Sequence, residues 1–201
     1  MVGPPWLWRM KREFQIFFLR EMGLKPQHYF LDLGCGTLRG GIPIIDYIEK
    51  GHYYGVDVRP QVLEEGKAEL REANLEHKQP VLIHTNDLGS LNIERGFDFI
   101  WAFSVLIHMT DQVLDQCLGF VQRHLKDEGR FYANVIIGRP ISLPFMRWRE
   151  FPIVVRKWEF YDNQAAKHSL RVKDMGRLSS LGHKSGFPGQ DRQRMLVFEK
   201  K

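Results

Sequence analysis

From Tyr29 onward, short runs of β-branched, aromatic and aliphatic residues alternate with stretches in which apolar positions recur every three or four residues. That alternation predicts an α/β fold built of β-α-β units on a largely parallel sheet. Strands are expected at 29–33, 53–57, 81–84, 97–103 and 130–136. Between the first two, Ile42, Ile45 and Ile48 keep helical spacing, with Pro43 near the helix start, where its missing N–H costs least. A second helix begins near Pro60 and aligns Leu63, Gly66, Leu70 and Ala73. A third opens on Thr110 as N-cap with Asp111 in its first turn, and carries Leu114, Cys117, Leu118, Val121 and Leu125. Gly129 is expected to stop it.

The flanks are less regular. Residues 6–22 read as an amphipathic helix with Met10, Phe14, Phe17 and Phe18 on one side, able to lie over the sheet edge, where Trp6 and Trp8 either close the site or anchor the core. Pro140, Pro144 and Pro152 break any long element in 138–158, which reads as an inserted cover. A short helix at 162–169 and strands at 170–175 and 195–198 complete the pattern. The expected organisation is one domain: a helical cover (1–24), a core (25–136), a cover segment (137–160) and a C-terminal portion (161–201).

The 201 residues, 43% hydrophobic and 26% charged, suit one globular domain and exclude disorder, collagen and coiled coil. The longest uncharged apolar stretch, 99–109, is too short to span a membrane, and the N-terminal residues lack the features of a secretory signal, so a cytoplasmic protein is expected. Two cysteines, Cys35 and Cys117, make no disulfide framework, and no Cys/His spacing suggests a metal site. Charge is uneven. The net +5 arises because residues 139–201 hold 14 basic and 6 acidic side chains against 15 and 18 before them. This basic third is either a solvated surface or a face for an anionic substrate, a phosphate-bearing carrier or nucleic acid.

The most informative segment is Leu31-Asp32-Leu33-Gly34-Cys35-Gly36-Thr37, between a strand and a helix. Its glycines allow a tight turn and close backbone approach to a ligand at a helix N-terminus. Asp57, at the end of the second strand and 23 positions after Gly34, can accept hydrogen bonds from two ribose hydroxyls; the plain alternative is a capping aspartate before Pro60.

Together LDLGCGT, GVDV, HTNDL and FDFIWAFSVLIHM resemble the ordered motifs of class I S-adenosylmethionine-dependent methyltransferases, over residues 25–136, in a small bacterial-type form. The resemblance implies a seven-stranded, Rossmann-like sheet whose last strand is antiparallel, with S-adenosylmethionine as cofactor and S-adenosylhomocysteine as product. It implies a doubly wound sheet with helices on both faces, in which Asp32, Gly34, Cys35, Gly36 and Thr37 line the methionine part, Asp57 holds the ribose, Val58 also touches the cofactor, and Asn86, Asp87 and Leu88 flank the adenine, while Phe103 and Ser104 approach the sulfonium. Asp87 is equally readable as a turn aspartate. Leu38 stands where many members have glycine; it is expected to pack under the loop, leaving Gly40 and Gly41 for close approach. Arg39 either pairs with the methionine carboxylate or faces solvent.

Methyl transfer needs alignment more than acid–base help. His108 matches a histidine often found beside the active site of small-molecule members. It is either a general base or substrate orienter, or a scaffold histidine at a helix start. The cover segment, with Arg139, Arg147 and Trp148, is a candidate binding surface for a small, anionic acceptor. No Asn/Asp-Pro-Pro-Tyr/Phe stretch follows the fourth strand and neither cysteine has a Pro-Cys context, which disfavours base-modifying nucleic-acid subclasses. An RNA or protein acceptor and a non-catalytic cofactor-binding accessory protein are the competing readings; oligomeric state is not legible.

Overall fold

The computed structural model describes residues 5–139, 147–148 and 151–201. Its strands are β1 (Phe30–Leu33), β2 (Tyr53–Asp57), β3 (Val81–His84), β4 (Phe97–Ala102), β5 (Leu125–Val135), β6 (Arg147–Trp148), β7 (Phe151–Pro152), β8 (Leu170–Arg177) and β9 (Arg194–Lys200). Seven form one sheet in the order β3-β2-β1-β4-β5-β9-β8; β6 and β7 make a separate ribbon. The neighbours from β3 to β5 run parallel, and β9 is antiparallel to both β5 and β8. The expected doubly wound sheet with an antiparallel last strand is therefore present.

Alternation along the strands, interrupted in β4 between Phe97 and Phe99, divides the interior into two cores. In β4, Phe97, Ile100 and Ala102 face one way, and Phe99 and Trp101 the other. The first face is covered by α4 (Asp111–His124) and α5 (Trp158–Lys167), through Leu114, Cys117, Leu118, Val121, Tyr161 and Ala165. The second is covered by α1 (Pro5–Glu21), α2 (Gly41–Tyr47) and α3 (Pro60–Glu72), through Phe14, Phe18, Ile44, Ile45, Leu63 and Leu70. Each apolar side chain fully withdrawn from water contributes roughly 1.5–3 kcal/mol against the entropy of ordering it. Thr110 caps α4 as expected, its Oγ1 accepting from the Val113 amide at 3.4 Å.

Several boundaries move. Helix α4 ends at His124 and Leu125 already pairs with Phe97 in β5, so neither Leu125 nor Gly129 belongs to the end of a helix. The ladder then shifts, Phe99 pairing with Arg130. Gly129 lies in that irregularity, where a Cβ would come within 2.8 Å of the Phe97 carbonyl oxygen; its value there is close backbone approach rather than helix termination. Strand β1 begins at Phe30, β4 stops at Ala102, α5 starts at Trp158 rather than 162, and α6 (Pro188–Asp191) is a short helix the periodicity did not predict.

Candidate functional site

The parallel strands all end on one edge of the sheet, and the loops after β1, β2 and β4 meet there, the place where an open α/β sheet accommodates ligands. After β1, the chain turns at Gly34 (φ +71°) with the amides of Gly34 and Cys35 both donating to the Val56 carbonyl, at 2.7 and 3.1 Å. A Cβ on Gly34 would meet Val105 Cγ2 at 2.5 Å, so glycine is required by the approach of the β4 loop as well as by the turn. Leu38 takes a left-handed conformation (φ +56°) and is fully buried, packed against Gly66 of α3 and Gly41. It underpins the loop as expected.

Asp32 and Asp57 occupy the ends of adjacent strands, each 5% exposed. Asp32 Oδ2 accepts from the Tyr53 hydroxyl at 2.7 Å, and its carboxyl is pushed up to about 7, chiefly by burial, with the Asp57 charge adding to the shift and the Tyr53 bond opposing it. Asp57 spans the gap between loops: Oδ2 accepts from the Gly36 amide at 2.9 Å and Oδ1 from the Arg59 amide at 2.9 Å. Helix α3 has Arg59 at its N-cap and no side-chain capping bond, so Asp57 braces the approach to the helix rather than capping it. Val58, beside it, is 46% exposed, an apolar side chain on the open edge.

The remaining expected residues divide. Cys35 contributes backbone only; its side chain is buried against Gly55 and burial holds its thiol well above the usual range. Thr37 is half-buried in the loop. Asn86 is exposed and Leu88 packs on the α4–α5 core. Asp87 closes a turn, Oδ1 accepting from the amides of Gly89 and Ser90 at 2.9 and 3.2 Å, and Oδ2 from the Ser90 hydroxyl at 2.5 Å; these bonds to Ser90 lower its carboxyl below the ordinary value. Arg39 does not project freely into solvent: its guanidinium lies 3.4 Å above the Trp8 ring, and burial pushes it down to about 10.

At the end of β4 the Phe103 ring turns toward α1, stacked on Trp101 (5.6 Å, 7°) and beside Phe14 and His183 at 5.7 and 5.6 Å. Ser104 is left-handed (φ +61°), its amide donating to Asn134 Oδ1 at 2.6 Å, and Asn134 Nδ2 donates to Gln193 Oε1. His108 follows in a 3-10 turn (Leu106–His108). Its Nδ1 donates to the Pro152 carbonyl at 2.8 Å, while burial first, then the charge of Arg59, outweighs that bond and lowers its pKa. The lone pair of the neutral ring is therefore on Nε2. The segment after β7 crosses this turn, with the Val154 amide donating to the Ile107 carbonyl at 2.8 Å. Arg139 is exposed; the side chains of Arg147, Trp148 and Trp6 lie outside the described residues.

Sequence reasoning missed Gln15, Asn134, Gln193 and His183. Gln15 Oε1 accepts from the Trp101 indole at 2.8 Å inside the α1 interface. Among the described residues no cluster of three or more metal-ligating side chains forms, and no helix is long and apolar enough to cross a membrane.

Comparison with known proteins agrees with this geometry. A family model described as a methyltransferase domain matches residues 31–131, just over half of the chain. Among solved structures, an S-adenosylmethionine-dependent methyltransferase from Clostridium acetobutylicum ATCC 824 superposes with a TM-score of 0.68 at 17% identity, over 96% of this chain and 92% of that one. Magnesium protoporphyrin IX methyltransferase from Synechocystis PCC 6803, with bound SAM, gives 0.67 at 14% identity, over 96% and 79%. The CcbJ methyltransferase from Streptomyces caelestis gives 0.69 at 15%, over 98% and 91%. At these identities the likeness establishes the fold.

Proposed function

The chain belongs to the methyltransferase-domain family, in the class I, S-adenosylmethionine-dependent form, and from that premise we propose that it methylates an oxygen, nitrogen or sulfur atom of a small anionic molecule. The observation that carries the reading is the pair of buried carboxylates, Asp32 and Asp57, flanking a loop whose Gly34 admits no side chain. Each Asp57 oxygen accepts one backbone proton and retains a lone pair for a ribose hydroxyl. Ionised Asp32 suits the cofactor's ammonium group, and exposed Val58 its adenine edge. The residues present fit the cofactor.

S-adenosylmethionine supplies an activated methyl group for direct displacement by the acceptor. The protein's task is then positioning and exclusion of water. Gly34, Gly36 and Thr37 give the backbone wall of the methionine portion, Asn86, Asp87 and Leu88 lie on the adenine side, and Ser104 directs the β4 loop toward the reacting centre. His108, neutral and fixed through Nδ1 by Pro152, orients the acceptor with Nε2. Arg139, Arg147 and Trp148 belong to the cover over the same edge.

A macromolecular acceptor is less well supported. Part of the basic C-terminal third is paired locally: Arg171 and Lys173 share Glu199, Arg194 pairs with Asp174, and Lys167 with Asp115. Calorimetric titration with S-adenosylmethionine and S-adenosylhomocysteine tests the reading. Micromolar binding that is lost in Asp57→Asn supports it, and absence of binding to either compound removes it.

A further inference from the structure

The inward face of α1 changes character along its length. Phe18 packs on Trp101 and Tyr132 within the sheet, and Phe14, one turn earlier, reaches Phe103 just past the end of β4. Farther toward the N-terminus come Lys11 and Trp8, the latter under Arg39 of the glycine loop. The helix thus overhangs the ligand edge of the sheet, where the half-buried Lys11 and Trp8 flank its apolar stripe.

Beneath it lies His183, 1% exposed, between Phe14 (5.1 Å, nearly perpendicular) and Phe103 (5.6 Å). Its Nδ1 is 3.0 Å from Asp191 Oδ1, and that oxygen also accepts from the Ser185 amide and hydroxyl at 2.9 and 2.7 Å. The other ring nitrogen, Nε2, is buried without a hydrogen-bond partner among the described residues. A buried polar atom left unpaired is unfavourable, which calls for an explanation. Lys11 is partly desolvated and feels the charges of Arg39 and Asp191, and its own charge reaches His183. Arg12 is committed elsewhere, to the Arg39 carbonyl and to Glu69. An oriented histidine with a buried, unbonded nitrogen therefore lies between aromatic rings within electrostatic reach of a lysine.

Resting on the methyltransferase reading, we propose that the acceptor is a small aromatic molecule bearing a carboxylate or phosphate, which binds beneath the N-terminal half of α1. Its anionic group lies on Lys11 and its reacting O–H or N–H on Nε2 of His183. The acceptor heteroatom forms the bond to the methyl carbon, the carbon–sulfur bond breaks with its electron pair passing to sulfur, and the acceptor proton moves to Nε2. Asp191 stabilises the imidazolium that results, which a neutral carbonyl such as that of Pro152 does less well for His108. Entry is from a groove of about 310 Å³ lined by Met10, Glu13, Phe14, Phe17 and Gly182. Phe14 belongs both to this groove and to the wall of His183, so displacement of one ring joins the two.

The test uses the full chain saturated with S-adenosylhomocysteine, titrated with the three hydroxybenzoates and phenyl phosphate while the His183 ring resonances are followed. At least one probe is expected to shift those resonances, and Lys11→Met to weaken it tenfold or more with S-adenosylhomocysteine affinity within twofold of wild type. With S-adenosylmethionine and the hydroxybenzoate that binds, His183→Gln is expected to lower turnover at least 100-fold with little change in probe affinity. Asp191→Asn should lower it less and shift the acid limb of the pH profile. Melting curves report whether the variants fold. The proposal is overturned if no probe moves His183, if His183→Gln turns over normally, or if Lys11→Met weakens S-adenosylhomocysteine itself, which would assign the lysine to the cofactor. Failure of the wild type to bind S-adenosylhomocysteine would instead remove the methyltransferase reading, and this placement with it.

Discussion

Tyr53 Oη donates to Asp32 Oδ2 at 2.7 Å across two adjacent strands, with both side chains buried. This bond favours the ionised carboxylate, yet burial, helped by the nearby Asp57 charge, wins and pushes Asp32 up to about 7. An aspartate in the unfolded chain titrates near 3.9, so between that value and about 7 the folded protein holds a proton the unfolded chain has released. Stability contributed by Asp32 is full below the lower value and is lost as the pH rises through the upper one, by on the order of 4 kcal/mol. Cofactor binding runs the other way, because an ammonium group needs the ionised form. S-adenosylhomocysteine affinity is expected to be about tenfold weaker at pH 6 than at pH 8. Asp32→Asn should flatten both trends, and a calorimetric pH series on the two proteins checks it; an unchanged slope in the variant would assign the titration to another group.

Asp57 makes a different demand, because one carboxylate holds both loops and faces the open edge. Asp57→Ala leaves the Gly36 and Arg59 amides without that acceptor, at about 1–3 kcal/mol each where water does not replace it. The variant is expected to melt several degrees lower and to lose S-adenosylhomocysteine binding by more than 100-fold. Asp57→Asn, which keeps one acceptor oxygen, should recover most of the melting temperature and little of the affinity. If the two properties recover together, Asp57 is a loop brace and the ribose assignment fails.

The loops that frame the expected cofactor edge were legible because their signals are local. The 31–37 turn and the Asp57 strand end are each written within a few consecutive residues, and the strand and helix periods around them locate β1 to β4 and α2 to α4. What escaped reading is tertiary. Gln15 meets Trp101 across 86 positions and Asn134 meets Gln193 across 59, and a lone glutamine or asparagine in an apolar run carries no sign of its partner. His183 sits in a turn and its orienter in a four-residue helix too short to show a period. The misplaced end of α4 has a similar cause: Leu125 fits the helical stripe by spacing, but pairing with Phe97 of β4 outweighs local propensity.

His108 is held by a main-chain carbonyl, and burial lowers its pKa below the usual histidine value. The unfolded chain therefore binds a proton that the folded state refuses, and stability falls as the pH drops through about 6.5. His108→Gln is expected to reduce that acid sensitivity. As an orienting residue it should raise KM for the acceptor several-fold and lower kcat by less than tenfold. Nitrogen-15 spectra at pH 7 should show the Nδ1-protonated tautomer; the opposite tautomer would place the lone pair on the wrong nitrogen and sink the orienting role.

The β4 loop offers the most direct link between fold and site. Ser104 is left-handed, a conformation that costs a non-glycine residue about 1–2 kcal/mol, and its amide is anchored by the fully buried Asn134, itself bonded to Gln193. Gln193 in turn accepts the Leu178 amide at 2.8 Å through its carbonyl, tying the loop to the turn that precedes His183. Asn134→Leu removes the acceptor and strands the Ser104 amide and the Gln193 side chain, so a loss of about 2–4 kcal/mol is expected, or roughly 4–16 °C in Tm. Ser104→Gly relieves the backbone strain and should raise Tm slightly in the wild type. In the Asn134→Leu background the loop has lost the bond that imposed the strained conformation, and the same glycine should gain nothing. A double-mutant cycle on melting temperature measures this coupling. Full additivity would mean that Ser104 keeps its conformation without Asn134, and that the buried amides stabilise the sheet but do not shape the site.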